Sequence, residues 1–181
     1  FAGTLFSIIL WTPFEYFGDL QYILCSFIII FLIGAKDDID PISPSKKLLG
    51  ELFAAGILVF RAHVEITSLY GIFGIYELPY LISVILSIFT ILVIINAFNL
   101  IDGINGLSGS IGALISLVLG TWFFLVDRME LAIVALSLTG AIFAFLKYNF
   151  TPAKIFMGDV GSSFCGFLFG VLALWTMHER L

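Results

Sequence analysis

Long apolar runs decide what this chain can fold into. Residues 81–95, 107–126, 131–146 and 164–177 contain no charged side chain at all, and 20–35 is apolar almost throughout. A spanning helix needs about 20 largely apolar residues, and fewer where flanking side chains reach for the interface. Residues 1–10 make a partial span by the same measure, and 46–60 a short one. Of the 181 residues, 61% are hydrophobic and 12% charged, against about 25% charged in an ordinary soluble domain. With 20 Phe and a mean hydropathy of +1.15, a soluble chain of this size has no interior large enough to hide the apolar surface. The sequence therefore reads as an all-α integral membrane protein, a polytopic transmembrane helix bundle of about six to seven spans.

The breaks between runs are equally legible. Trp11-Thr12-Pro13 pairs an interfacial aromatic with a helix breaker, and Glu15 and Asp19 mark an aqueous loop. Ser43-Pro44 is a helix start. Residues 64–80 form a connection whose alternation around Val64-Glu65-Ile66 permits a small hairpin, and Asp127-Arg128-Met129-Glu130 is a tight polar turn. Small residues at the start of the 107–126 run (Ser108, Gly109, Ser110, Gly112, Ala113) invite close helix approach. The first residues do not form a signal peptide, and both ends look cut from a longer membrane protein.

Net charge of −5 says little about partners in a membrane chain. The eight Lys and Arg are scattered without a basic patch, so no nucleic acid is expected. Cys25 and Cys165, in apolar runs and without ligand spacing, are expected to be small packing residues rather than a disulfide or metal site.

Because consecutive spans alternate sides, the connections 36–47, 96–106 and 147–163 fall on one face of the membrane. They carry Lys36, Lys46, Lys47, Lys147 and Lys154, whereas Arg61, Arg128 and Arg180 lie on the other. This bias points the first face to the cytoplasm. That face also holds the clustered carboxylates and amides.

Asp37, Asp38 and Asp40 crowd three negative charges into four residues, an arrangement that a divalent cation would relieve. Asn96, Asn99, Asp102 and Asn105 recur every third residue and would share one face if helical. Gly158-Asp159-Val160-Gly161-Ser162 combines glycines that admit close backbone approach with the start of a helix, where N–H groups can hold phosphate. An Asp there suits a phosphate that arrives with Mg²⁺. Taken singly, these loops read as a solvated acidic end, helix caps and an Asp-capped turn. Taken together, they fit metal-assisted phosphoryl transfer. Lys46, Lys47 and Lys154 serve equally as phosphate neutralisers or membrane anchors. His63 and His178 lie on the opposite face by parity and cannot join the carboxylates. A transporter that uses these carboxylates as an ion pathway is the rival reading. It is disfavoured because they sit at one side rather than on broken helices in paired repeats.

The order Asp37-Asp38, then Asn96 to Leu107 (NAFNLIDGINGL), then Asn149 to Ser162 (NFTPAKIFMGDVGS) resembles the polyprenyl-phosphate N-acetylhexosamine-1-phosphate transferases, the WecA, TagO and MraY group. The resemblance covers essentially the whole chain. It implies a single transmembrane catalytic domain over 1–181, a fragment of a larger MraY/WecA-like fold that lacks N- and C-terminal portions, the family's His-containing loop among them. The implied reaction moves an N-acetylhexosamine 1-phosphate from a UDP-sugar to polyprenyl phosphate, releases UMP and initiates cell-envelope polysaccharide synthesis. It takes place at the cytoplasmic face of the inner membrane.

The resemblance also implies roles. Asp37, Asp38, Asp102 and Asp159 form the catalytic set. Asp159 is the principal ligand of Mg²⁺ (or Mn²⁺), with Asp38 as second metal residue, and one of Asp37 and Asp38 acts on the lipid phosphate as its base. Asn99 and Asp102 match positions near the nucleotide-sugar; on the residue chemistry above, Asn96 and Asn105 are expected to join them as substrate-binding amides, and Lys47, Gly158, Gly161 and Ser162 to lie near the phosphates. Asn149 contacts the uridine or diphosphate side, and Phe156 stacks on uracil. Two departures stand out. Asp40 follows the Asp pair one residue earlier than in WecA-like members, and Asn105 replaces a second Asp. The Leu100-Ile101-Asp102-Gly103 wording and the short first loop favour a WecA/TagO-like GlcNAc donor over the muramyl-pentapeptide donor of MraY-type enzymes, which stays as the alternative. An inactive truncated scaffold and a homodimer are left open.

Overall fold

A computed structural model describes residues 2–11 and 17–178. The helices are α1 (Ala2–Trp11), α2 (Phe17–Ile39), α3 (Pro44–Arg61), α4 (Tyr80–Ile101), α5 (Leu107–Leu125), α6 (Met129–Asn149) and α7 (Gly158–His178). Among the described residues there is no strand, and α4 to α7 are each long and apolar enough to cross a membrane. The chain is a polytopic α-helical membrane protein, as its apolar runs require. The expected break at Thr12-Pro13, the loop residue Glu15, Arg180, and the side chains of Asp19 and His178 lie outside what is described.

The bundle is organised around α7, whose residues from Ser162 to Leu172 are all buried. It packs against α2 on one side and α4 on the other, while α5 pairs with α6, α6 with α1, and α3 with α2 and α4. Phe27 of α2 meets Phe164 and Phe167 edge-on, with ring centroids 5.0 and 5.9 Å apart. Phe98 of α4 lies 4.9 Å from Phe169. Two glycines set the closest crossings. A Cβ on Gly166 would stand 2.7 Å from the Ile95 Cα, and one on Gly34 would stand 2.7 Å from the Val160 Cα. Without a hydrophobic drive between helices in lipid, contacts this close supply the packing attraction. The expected small-residue seam of α5 is present in part: Ser108, Gly109, Gly112 and Ala113 are buried, while Ser110 is exposed. Thr139 on α6 donates to the Ser116 Oγ across the pair at 2.9 Å. Outward faces are apolar, with Leu81, Ile82, Ile85 and Phe89 of α4 exposed, which suits a lipid surround.

Several boundaries differ from the sequence reading. The second and fourth helices run past their apolar cores to Ile39 and Ile101, and α7 starts at Gly158, six residues before its apolar run. Polar residues therefore occupy helix ends rather than loops. The hairpin near Val64 is not formed. Residues 63–69 carry no regular secondary structure, His63 taking a left-handed φ of 52°, and the connection closes through Leu78 N–H to Thr67 O and Gly71 N–H to Ile75 O. Val64 and Ile66 turn inward and are buried, so the alternation there reports burial rather than strand pairing. Cys165 is buried in α7 as expected, while Cys25 is exposed and both are free thiols.

Candidate active site

The C-terminal ends of α2, α4 and α6 meet the N-terminal ends of α3, α5 and α7, so the three connections placed together by parity are together in space. The meeting is built on the first turn of α7. Such a turn leaves backbone N–H groups without helical partners, and here carboxylates from two other helices take them. Asp38 Oδ1 accepts from Asp159 N–H at 2.8 Å and Oδ2 from Val160 N–H at 3.1 Å. Asp102 Oδ2 accepts from Gly158 N–H at 3.0 Å, and its Oδ1 takes the Ser108 hydroxyl at 2.7 Å. Gly161 N–H bonds Met157 O. Negative charge at a helix N-terminus also complements its dipole.

This arrangement bears on two expected roles. The N–H groups at 158–160 are not open to a phosphate, because carboxylates already occupy them. Asp38 has both oxygens engaged by the backbone and so braces the start of α7. Gly34 makes the brace geometrically feasible, since only a residue without Cβ lets α2 lie this close to Val160 and the Asp159 carbonyl. Gly158, at φ 68°, turns the chain into α7 directly beneath the Asp38 carboxylate.

The second cluster is charged on both sides. Lys47, in the first turns of α3, places Nζ 3.0 Å from Asp37 Oδ2 and 2.5 Å from Asp159 Oδ1. Asp37 Oδ1 also accepts the Ile42 N–H at 2.9 Å. That backbone bond, with the Lys47 ammonium beside it, holds the Asp37 carboxyl below the usual carboxylate range against a smaller opposing effect of burial. Two carboxylates more than a hundred residues apart thus converge on a single cation. Glu51, one turn further along α3, is buried and its Oε1 has no hydrogen-bond partner.

The remaining predicted residues fall into three groups. Asn99 ties α4 to α7: its Oδ1 accepts from the Ser162 hydroxyl, and its Nδ2 lies 3.3 Å from the Ser163 Oγ. Ser162 also bonds Gly158 O at 2.6 Å. A Cβ on Gly161 would collide with Met157. Asn149 is fully buried, accepting from Gly106 N–H and donating to Ile155 O, both at 2.8 Å. It braces two loops, with both ends of the amide used.

Asn96 is exposed and bonds the Leu92 carbonyl of its own helix. Asn105 is exposed in the turn beyond α4, so the predicted face of four breaks after Asp102, where the helix ends. Asp40 is outside the cluster, exposed and paired with Lys36 one turn back. Lys46 and Lys154 are exposed. Phe156 is 53% exposed, and it lines a cavity of about 240 Å³ with Met157, Val160 and Gly161. His63 is at the far end of the bundle, at the close of α3.

Among the described residues no group of three or more His, Cys, Asp or Glu is arranged to hold a metal. Mg²⁺, however, commonly takes one or two carboxylates and fills its shell with water and substrate phosphate. Asp37 and Asp159, already converging on the Lys47 ammonium, fit that demand. Sequence reasoning missed Gly34, Ser108 and Glu51. Glu51 at four residues from Lys47 was the one detectable signal, since that spacing shares a helix face.

Residues 20–177 match the family model described as Glycosyl transferase family 4. Similar curated proteins include the phospho-N-acetylmuramoyl-pentapeptide-transferase of Clostridium beijerinckii, 46% identical over 56 residues, which is 31% of this chain and 17% of that one. Those of Kocuria rhizophila and Moorella thermoacetica are 50% and 40% identical over 54 and 65 residues, covering 30% and 36% of this chain. The aligned stretches span only 14% and 20% of these two relatives. With the family match running from α2 to the end of α7, the chain belongs to glycosyl transferase family 4.

Proposed function

We propose that the protein of which this chain forms the core transfers a sugar 1-phosphate from a UDP-N-acetylhexosamine to polyprenyl phosphate at the cytoplasmic face of the membrane. The observation that carries the reading is the convergence of Asp37 and Asp159 on one cationic group, at the end of the bundle where the polar motifs gather. Family membership and the relatives' printed activity support the same class. The lysines on this face support its cytoplasmic orientation.

In this reading an oxygen of the lipid phosphate attacks the sugar-bearing phosphorus. The new P–O bond forms as the bond to UMP breaks, and UMP departs with the electron pair. Asp37 and Asp159 would hold Mg²⁺, which when bound neutralises the diphosphate and the departing UMP. The chain's own residues do the positioning. Asp38 and Asp102 fix the start of α7 and with it the direction of Asp159, and Asn99 and Ser162 lock α4 to α7. Lys47 supplies a mobile positive charge beside the phosphates. Phe156, exposed three residues before Asp159, offers an aromatic face for the uracil. A preorganised charged site of this kind can lower the barrier without a covalent enzyme intermediate.

The donor is read as UDP-GlcNAc from the Leu-Ile-Asp-Gly wording and the short α2–α3 connection. A second reading, the muramyl-pentapeptide donor, is favoured by the printed names of the similar proteins. Assaying the full-length protein for UMP release with polyprenyl phosphate and UDP-GlcNAc, UDP-GalNAc or the muramyl-pentapeptide donor separates them. Turnover confined to the last donor overturns the GlcNAc reading. No UMP with any donor, combined with ion flux in proteoliposomes, overturns the transferase reading in favour of a transporter.

A further inference from the structure

We propose that Glu51 is a positioning residue that receives the Lys47 ammonium when a divalent cation takes its place between Asp37 and Asp159. The inference rests on the cation reading above, and it concerns a residue that reading does not use.

Lys47 Nζ stands within hydrogen-bond distance of both carboxylates, at 3.0 and 2.5 Å. This is the position in which a bridging cation would neutralise them. A divalent ion and an ammonium cannot share it, because like charges at such separation repel strongly in a site only partly open to water. Lys47 therefore needs a second resting place. Its stem is flexible and its three N–H donors rotate freely, so the new acceptor has only to be within one side chain's reach.

Glu51 meets that requirement. It is four residues along α3, on the same helix face as Lys47. It is 2% exposed, yet its Oε1 lies buried with no hydrogen-bond partner. A buried carboxylate oxygen left unmatched is costly, and a side chain retained in that state calls for an explanation. The charges of Lys47, Asp159 and Asp37 all act on it, and the Asn96 amide of α4 is near it. Three carboxylates thus compete for one ammonium. With no divalent ion, Lys47 serves Asp37 and Asp159 and leaves Glu51 Oε1 without a partner. With the ion bound, Lys47 swings one turn and pairs with Glu51, so each state leaves the fewest charges unpaired.

The test is Mn²⁺ binding to the full-length protein in detergent, read from the loss of the free-ion electron paramagnetic resonance signal. It needs no turnover. Glu51→Gln is expected to weaken binding about tenfold, because the displaced ammonium loses its charged acceptor. Lys47→Met is expected to bind Mn²⁺ more tightly than the parent, since the competitor is gone. In the Lys47→Met background the Glu51→Gln effect is expected to shrink several-fold. Should Glu51→Gln not fold, Glu51→Asp keeps the charge at shorter reach and is expected to give a smaller weakening with the same dependence on Lys47. An equal Glu51 effect in both backgrounds, or none in either, overturns this inference alone. Unchanged Mn²⁺ binding in both Asp37→Asn and Asp159→Asn overturns the cation reading, and this inference with it.

Discussion

Replacing Gly34 by Ala adds one methyl group at the tightest point between α2 and α7. The new Cβ would lie 2.7 Å from the Val160 Cα, 2.8 Å from its N and 2.9 Å from the Asp159 O. All three are backbone atoms, so no rotamer change relieves the clash. Restoring ordinary contact requires the helices to part by roughly 0.7 Å. That displacement would carry Asp38 away from the N–H groups it holds at 2.8 and 3.1 Å, to the limit of hydrogen bonding or past it. Overpacking of this kind costs about 1–3 kcal/mol, and weakening two hydrogen bonds to a carboxylate adds about 1.5–3 kcal/mol. Because Asp159 lies in the displaced turn, UMP release should fall by up to about a hundredfold. The assay is thermal loss of helical circular dichroism together with UMP release, on full-length protein. Gly140→Ala in α6 is the control: its Cβ would meet nothing within 4 Å, so it should be neutral or stabilise by up to about 1 kcal/mol. A Gly34→Ala protein that melts and turns over like the parent would refute the claim that close approach of α2 aims α7.

Other perturbations follow from the same contacts. Asn149→Ala strands the Gly106 N–H and the Ile155 carbonyl, and thermal melts should show a loss of about 1–3 kcal/mol for each group, with no change in KM for the donor. Gly166→Ala places a Cβ 2.7 Å from the Ile95 Cα, so it should destabilise the α4–α7 crossing by about 1–3 kcal/mol; a melting temperature equal to the parent's contradicts the packing described. Ser108→Ala removes one of two bonds to Asp102 and should reduce kcat modestly, with about 1 kcal/mol lost in stability.

Much of the bundle was legible because burial in lipid needs long apolar runs, and those runs fix number, order and side. Parity alone placed Asp37, Asp102 and Asp159 together. Helix ends were less legible. Polar residues such as Asp37, Asp38 and Asn99 stop an apolar run, but they continue a helix when neighbouring helices satisfy them. The brace on α7 was invisible for a related reason. Asp38 and Asp102 are far from Gly158 in sequence, and nothing local distinguishes a carboxylate that caps a remote helix from one that holds an ion. The bracing role of Asn149 likewise shows only in its burial and its two partners. Glu51 carries a weak local signal, its spacing from Lys47, that only the unmatched oxygen makes meaningful.

Asp37 and Asp159 are proposed as the working pair. The direct measurement is UMP release by full-length protein carrying Asp37→Asn or Asp159→Asn, beside Asp40→Asn and Asp127→Asn. Asp40 is paired with Lys36 at the surface, and Asp127 sits in the α5–α6 turn at the other end, with a positive φ of 62° that Asn also adopts readily. The account predicts losses of roughly a hundredfold or more for the first two and near-parent rates for the others. Near-parent turnover by Asp159→Asn, or equal losses in all four proteins, would contradict it.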